Sequence, residues 1–114
     1  MATITTFERA LGYATEAGHT LYTVQADSTI TIIGAVFNNV TAEPRTMNLK
    51  LVTGDFPNGV ELIPTDLPVP SGSGFTPSAD IGKIVAKVGD QIVVDCDEDN
   101  GISAFVSFML QVEV

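Results

Sequence analysis

The residues best spaced for chemistry are the acids of the segment DCDEDNG, which begins at Asp95. Asp95, Asp97 and Asp99 alternate as the first three oxygen ligands of an EF-hand calcium loop do. The sixth position is Asn100, where the sharp turn needs glycine, and the twelfth is Val106, where a bidentate glutamate closes the site. The flanking segments also have strand patterns. We therefore predict a solvated connection between strands and no functional metal, with a cation site as the alternative.

Two other reactive side chains occur once each. His19 is the single histidine, so one chain cannot build a histidine dyad or a pair of histidine metal ligands. Cys96 alternates with Ile92 and Val94, which predicts a buried, inert thiol rather than a nucleophile in an electropositive setting. The Gly-Ser-Gly segment at 72–74 lacks the lysine and the helix start of a phosphate loop. We predict no catalytic residues and no cofactor, and thus a protein that is not an enzyme.

The charge of the chain excludes some partners. The net charge is −9 over 114 residues, and residues 58–114 carry nine acids and two bases, or −7 of that total. Nucleic acids and anionic membranes select basic surfaces, so we expect neither as a partner. An acidic excess favours solubility or complements a basic partner.

The compartment follows from other features of the sequence. No run approaches the roughly 18 apolar residues of a membrane helix. The first residues lack the basic start and apolar run of a signal peptide, and a single cysteine cannot form an internal disulfide. We expect synthesis in a reducing cytosol.

Strand signals separated by turn residues recur along the chain, notably at 21–24, 29–37, 46–52, 91–96 and 102–114. They predict an all-β fold: a single antiparallel β-sandwich, jelly-roll or immunoglobulin-like, of about seven or eight strands. Gly34 indicates a bulge within its strand. Pro64 and Pro68 restrict residues 60–69 to an edge strand or an extended connection. Asn100-Gly101 is typical of a hairpin turn into the last strand.

The domain boundary falls near residue 18. Residues 19–114 are expected to form the sandwich, and residues 1–18 an N-terminal arm or a first strand. Phe7, Ala10, Leu11 and Ala14 recur at helical spacing, so a short helix over 6–15 is the alternative to an extended strand.

The last strand places large apolar residues on both of its faces. Ile102 and every second residue after it line one face, and Phe105 and Met109 lie on the other. Either a second layer of the domain or another subunit must cover them. We predict an intermolecular contact surface whose residues are Ile4, Phe7, Leu11, Phe75, Phe105 and Met109.

The chain resembles a family of small virion proteins encoded among the structural genes of tailed phages. The similarity covers about residues 19–114. It consists of LYTV at 21–24, the apolar strand from Ile30 to Asn39, the alternating strand from Met47 to Val52, the proline-containing stretch at 67–70, GDQIVV at 89–94, and the Phe-containing segment at 103–114. The acidic run at 95–99 and the loop at 56–59 depart from the pattern and leave the surface partners open.

The resemblance implies a β-sandwich present in many copies on a virion. Its expected function is head decoration (cement), with the major capsid protein or another virion protein as partner and a homo-oligomer on the particle. A tail, collar or fibre component is the alternative within the virion. A receptor- or carbohydrate-binding module is the alternative from another class, although the sequence has no tryptophan for a sugar site.

Overall fold

The structure, a computed structural model, describes residues 2–76 and 84–114, and at Phe75 the backbone alone. Within these ranges the chain forms strands and turns and no helix, so none could cross a membrane. The strands are β1 (Thr3–Tyr13), β2 (His19–Thr23), β3 (Ser28–Asn39), β4 (Arg45–Val52), β5 (Val60–Glu61), β6 (Leu67–Val69), β7 (Gly74–Phe75), β8 (Ile84–Lys87), β9 (Gln91–Cys96) and β10 (Ile102–Glu113).

These strands make two antiparallel sheets of five strands each. In the first sheet the order is β1-β10-β3, and β7 and β8 both pair with the far side of β3. In the second sheet the order is β2-β9-β4, and β5 and β6 both pair with the far side of β4. If β5 with β6 and β7 with β8 each count as one interrupted strand, the sandwich has eight strand positions. The predicted all-β antiparallel sandwich is confirmed.

The connectivity identifies which kind of sandwich this is. β1, β2, β3 and β4 alternate between the two sheets, and so do β8, β9 and β10. The first and last strands are neighbours, with β10 inserted between β1 and β3. This double Greek key is the jelly roll rather than the immunoglobulin arrangement.

The core lies between the sheets and follows the predicted alternation. In β10 the residues from Ile102 to Phe108 at every second position are buried, and the same holds for Ile92, Val94 and Cys96 in β9. Met47 and Leu49 contribute from β4. Across the layers, the rings of Tyr22 and Phe108 lie 4.6 Å apart between centroids. These residues form one contiguous apolar cluster that holds the two sheets together.

A bulge interrupts β3 where the glycine predicted one. Ser107 of β10 is opposite Gly34, and the next residue, Phe108, is opposite Ile32, so Ile33 has no partner in the register. Ile32 and Ala35 consequently both point into the core, while Ile33 is exposed. A Cβ at position 34 would lie 3.2 Å from the Ser107 hydroxyl, which leaves little room for a side chain there.

The N-terminal residues are an integral strand of the first sheet. β1 pairs with β10 in unbroken antiparallel register from Thr3 opposite Glu113 to Tyr13 opposite Ser103. The alternative of a short helix over 6–15 is wrong, because Phe7 and Leu11 lie on one face of this strand and Ala10 and Ala14 on the other.

The predicted hairpin between the last two strands is also wrong. β9 belongs to the second sheet and β10 to the first, so the connection crosses from one layer to the other. Asn100, with φ of 60°, makes the bend, and its backbone N–H donates to the carbonyl of Ala14 at 2.8 Å. The Asn-Gly pair therefore supplies the left-handed conformation of a crossing connection rather than of a hairpin.

The proline-containing stretch lies at the edge of the second sheet, as predicted. Its two short strands, β5 and β6, pair only with β4. Pro68 takes part in β6 opposite Thr46. On the side away from β4, β6 has no neighbouring strand among the described residues. The N–H that Pro68 lacks therefore costs no hydrogen bond on that side.

One end of the first sheet extends past the second. The molecule is elongated, with extents of 51 × 25 × 21 Å. At its narrow end Ile4 is 52% exposed, and Leu110 and Val112, which face the same side, are only half-buried. Ala2 and Val114 exchange two backbone hydrogen bonds of 3.0 and 2.8 Å at this tip. The inward-facing side of β1 is therefore uncovered near its start and covered from Ala10 onward.

Candidate interaction surface

Large apolar side chains line the outer side of the first sheet. The register places Phe7 of β1 opposite Met109 of β10, Leu11 opposite Phe105, and Phe105 opposite Val36 of β3. Directly opposed residues share a face of the sheet, so these five side chains lie on the same side and are here called the outer apolar face. Arg9 and Ser107 lie opposite each other between the Phe7–Met109 and Leu11–Phe105 pairs. Four of the six predicted contact residues, Phe7, Leu11, Phe105 and Met109, are brought together there.

The two strands expose this surface to different degrees. Phe7 is 75% exposed and Leu11 58% because β1 is at the sheet edge. Phe105 and Met109 are half-buried because β10 is flanked by a strand on each side. The second sheet packs against the opposite side of these strands, and no described segment lies over the outer side. Exposed apolar surface of this kind is typical of a protein interface.

A groove indents one end of the outer apolar face. Its volume is about 340 Å³, and it is lined by residues of β1, β3 and β10: Leu11, Gly12, Tyr13, Val36, Asn38, Ser103, Ala104 and Phe105. Most of the lining is apolar, and Asn38 and Ser103 provide the polar groups. The groove could accept one large side chain of a partner or a small ligand.

Few charges occur on this side of the molecule. Among the outward positions of the described first-sheet strands, only Arg9, Lys87 and Glu113 are charged. The acids concentrate instead on the second sheet and the connections between strands, where Asp95 and Glu61 both approach Lys50 at 3.5 and 3.8 Å. One face of an acidic protein is thus nearly neutral and apolar. That asymmetry favours docking through the apolar side, since a partner there need not desolvate many charges.

The remaining two predicted contact residues do not join this face. Ile4 points to the inner side of β1, at the overhanging end of the first sheet. Phe75 pairs through its backbone with Phe37, and its side chain lies outside the described part of the structure.

The acidic connection after β9 is held by protein donors. A carboxylate oxygen of Asp97 accepts the backbone N–H of Thr46 at 3.2 Å, and one of Asp99 accepts that of Glu16 at 2.8 Å. The Arg45 guanidinium contacts Glu98 at 2.6 Å and Asp97 at 3.9 Å. These carboxylates fasten the crossing connection to β4 of the second sheet and to the connection between β1 and β2. Within residues 2–76 and 84–114, no three acids, histidines or cysteines are grouped as metal ligands would be.

Neither reactive side chain lies at the outer apolar face. Cys96 is buried, and this burial raises the pKa of its thiol; the neighbouring Asp97 carboxylate acts in the same direction. His19 is half-buried on β2, opposite Val94 in the second sheet. Partial burial also raises the pKa of the Tyr22 phenol, and the charge of Glu8 adds to that effect. These groups lie apart from the surface that a partner would contact.

Sequence reasoning missed Val36, a residue of the outer apolar face, and Tyr13 and Ile33, which lie on the same side of the sheet. Tyr13, Ile33 and Val36 are 52%, 47% and 39% exposed. The bulge explains two of them. It places both Ile33 and Gly34 on the outer side, so Val36 points outward although Ser28, Ile30 and Ile32, before the bulge, point inward. Tyr13 is the last residue of β1. Because side chains alternate along a strand, it lies on the same side as Phe7 and Leu11, and a strand prediction over these residues would have identified it.

Comparison with known proteins finds similarity in structure but not in sequence. No family model and no curated protein matches the sequence. Among solved structures, a chain from Bacillus endospore appendages, described as a family of disulfide-linked pili, matches with a TM-score of 0.53 and 10% identity, over 98% of this chain and 88% of that one. A chain of the T13 particle of infectious bursal disease virus (IBDV) matches with a TM-score of 0.50 and 7% identity, over 96% of this chain but 31% of that one.

A third structure is more distant. A chain from the capsid of Helicobacter pylori bacteriophage KHP30 aligns over 99% of this chain and 98% of that one, with 11% identity and a TM-score of 0.48. At these identities the likenesses establish the shared sandwich fold, found in subunits of a viral particle and of an appendage, and nothing about function.

Proposed function

We propose that this protein is a structural, non-catalytic subunit of a tailed-phage virion, made in the host cytoplasm, and that it acts as a head decoration (cement) protein. The observation that carries the proposal is the outer apolar face, a group of large apolar side chains on one side of an otherwise acidic molecule. The resemblance of residues 19–114 to small virion proteins supplies the virion context. The shell, through its major capsid protein or another virion protein, is the partner that would cover this face.

The energetics of such a contact depend on copy number. Burying one exposed phenylalanine contributes on the order of 1.5–3 kcal/mol, which alone gives weak binding. A decoration protein that bridges two capsomers must lose both contacts at once before it dissociates, so the bridged state is held much more tightly than either contact. The shell gains stability by the same linkage, because bound copies favour the assembled state.

Substitution of the anchor residue tests the proposal. Phe105→Ser should leave the monomer folded, because residue 105 points away from the core, and should lower occupancy on particles and the temperature at which they release DNA. Phe7→Ser tests the same face at a position that is 75% exposed and contributes little to folding. Occupancy is measured by quantitative gel analysis of purified particles and particle stability by a thermal-release assay.

Phe56→Ser is the matched control for these variants. Phe56 is 58% exposed but lies in the connection after β4, at the second sheet. It should not change occupancy. If Phe105→Ser and Phe7→Ser fold and bind particles as the unmodified protein does, the outer apolar face is not the shell contact.

The groove supports a second candidate, a receptor- or carbohydrate-binding module at a tail or fibre. Its lining includes the rings of Tyr13 and Phe105 and the polar groups of Asn38 and Ser103, a combination that can stack on and hydrogen-bond a sugar. Calorimetric titration with host-surface oligosaccharides distinguishes the two functions. Saturable binding that Tyr13→Ala abolishes would favour this candidate over shell decoration.

A further inference from the structure

The free edge of β1 has the features of a strand-pairing site. Ala2 exchanges two hydrogen bonds with Val114, and Ala14 donates to Ile102. Because hydrogen-bonding direction alternates along an antiparallel strand, the even-numbered residues of β1 bond β10 and the odd-numbered residues from Thr3 to Tyr13 direct their N–H and C=O groups away from the sheet. No described residue pairs with that edge.

This edge also lacks most devices that block strand addition. β1 is eleven residues long, contains no proline, and runs without a bulge against β10. Glu8 and Arg9 are its only charges. A long, regular edge strand with exposed apolar residues is a template for another strand. We infer that β1 pairs antiparallel with β1 of a second copy of this chain, joining the two first sheets into one continuous sheet.

Charge and size select one register for this pairing. Because odd residues must meet odd residues, the strands can slide only in steps that keep this parity. With Phe7 opposite the second copy's Phe7, Thr5 meets Arg9 and Thr3 meets Leu11. The two neighbouring registers in one direction place Glu8 opposite Glu8 or Arg9 opposite Arg9, and directly opposed like charges are destabilising.

The inner positions of β1 agree with the same register. The uncovered start of one strand lies beside the covered end of the other, so Ile4 comes opposite Ala10 and Thr6 opposite Glu8. The neighbouring register in the other direction, with Thr6 opposite Thr6, pairs fewer residues of the two strands and places Ile4 opposite Glu8. Beyond Ala10, β1 has Gly12, where a Cβ would lie 2.9 Å from the His19 ring, so the second sheet approaches closely there. On the inner side, β1 thus has the large Ile4 at its exposed start and the small Ala10 and Gly12 at its covered end. Antiparallel pairing of two copies places the large residue of each strand beside the small residues of the other.

This inference deepens the assembly role proposed above and rests on it for its biological setting, but its test uses the isolated protein. Light scattering coupled to size exclusion should give twice the 12.0 kDa chain mass at a loading of about 50 μM, where a weak dimer is populated. Thr5→Pro removes an N–H that β10 does not use, so the monomer should fold while the dimer dissociation constant rises about tenfold or more. Thr5→Ala keeps that N–H and should remain dimeric.

Crosslinking reports the register even if the proline variant does not fold. In a Cys96→Ala background, Phe7→Cys should form an intermolecular disulfide under mild oxidation, since directly opposed Cα atoms lie about 5.5 Å apart. Thr5→Cys should not, because its two copies would be about four residues, or roughly 13 Å, apart along the strands.

Three outcomes would overturn the inference. They are a monomer at all loadings, a dimer that Thr5→Pro leaves intact, and equal crosslinking at positions 5 and 7. A monomer whose Thr5→Pro variant loses occupancy on particles would show that a strand of the shell, rather than a second copy, occupies the edge. Failure of the pairing leaves the Phe105→Ser result valid, so the two proposals are separable.

Discussion

Cys96 shows how the fold controls the reactivity of a single side chain. Its thiol is 4% exposed, and burial raises its pKa, so both access and ionisation oppose reaction. We expect the native protein to react with a disulfide reagent at pH 8 at least about 100-fold more slowly than the unfolded protein. A Cys96→Ala, Thr65→Cys variant, with its thiol on an exposed turn, should react at once. Rapid native labelling of Cys96 would contradict the buried thiol.

The same pKa shift has a consequence for stability. Because the folded state raises the pKa of the thiol, the unfolded state ionises first as the pH increases. The contribution of Cys96 is therefore fully present below about pH 8.5, the ordinary thiol value, and is lost as the pH rises through the folded pKa. Tyr22 has a shift of the same sign that acts at higher pH. Denaturant titrations between pH 7 and the alkaline limit, with Cys96→Ala as control, measure this loss.

Single residues show where sequence reasoning succeeds and fails. The buried thiol followed from the alternation of Cys96 with its neighbours. Asn39, by contrast, is a polar residue at the end of β3, yet its side chain is buried. Its amide donates to the carbonyls of Glu43 and Val69 at 2.8 and 3.0 Å. The contact with Val69 spans 30 residues of the chain, so no local pattern encodes it.

At the level of elements, the bulge in β3 determines which residues reach the outer side. Ile33 is the unpaired residue, and its removal would leave Ile32 inward, Gly34 outward and Ala35 inward in regular alternation. We expect a chain lacking Ile33 to fold cooperatively, with a free energy of unfolding within about 1 kcal/mol of the original.

Deletion of Ala104 is the matched control. β10 has no unpaired residue, so this deletion turns Ile102 outward and Ser103 inward, at a cost of about 2–4 kcal/mol. Urea titration of both variants measures the difference. Equal losses would show that the bulge is not a dispensable insertion in the register.

The elements also divide into those the sequence predicts and those it does not. β4, β9 and β10 each bury one face, so apolar and polar residues alternate along them and the sequence predicts them. β1 does not show this pattern, because Ala10 is its only buried residue and its large residues Phe7 and Leu11 lie outside. The β9–β10 connection was misassigned because Asn-Gly favours a left-handed bend whether the next strand returns beside its predecessor or crosses to the other layer.

At the level of the whole molecule, charge and apolar surface are separated. A partner bound to the outer apolar face would meet few charges, whereas one bound to the second sheet would meet many carboxylates. Raising the salt concentration from about 0.1 to about 1 M shortens the screening length from about 10 to about 3 Å. We therefore expect the affinity for particles to change less than about threefold over this range.

Binding of the protein to particles stripped of it, measured by sedimentation at both salt concentrations, checks this expectation. An acidic surface docked on a basic shell would instead lose affinity steeply with salt. A tenfold or greater loss would place the contact on the acidic side. The sandwich as a whole followed from the number and spacing of its strands, but this separation of surfaces depends on the register, which the sequence alone did not specify.

The position of β10 has a consequence for biosynthesis. β10 comes after every other strand in the chain, yet it lies between β1 and β3 in the first sheet. A nascent chain therefore cannot close this sheet until the segment from Ile102 to Glu113 has left the ribosome, and until then β1 and β3 each lack a neighbour. Pairing β1 with β10 also joins two strands that are far apart in sequence, which makes folding slow. The first sheet is therefore completed late in folding, and before that its unpaired strand edges are exposed to aggregation.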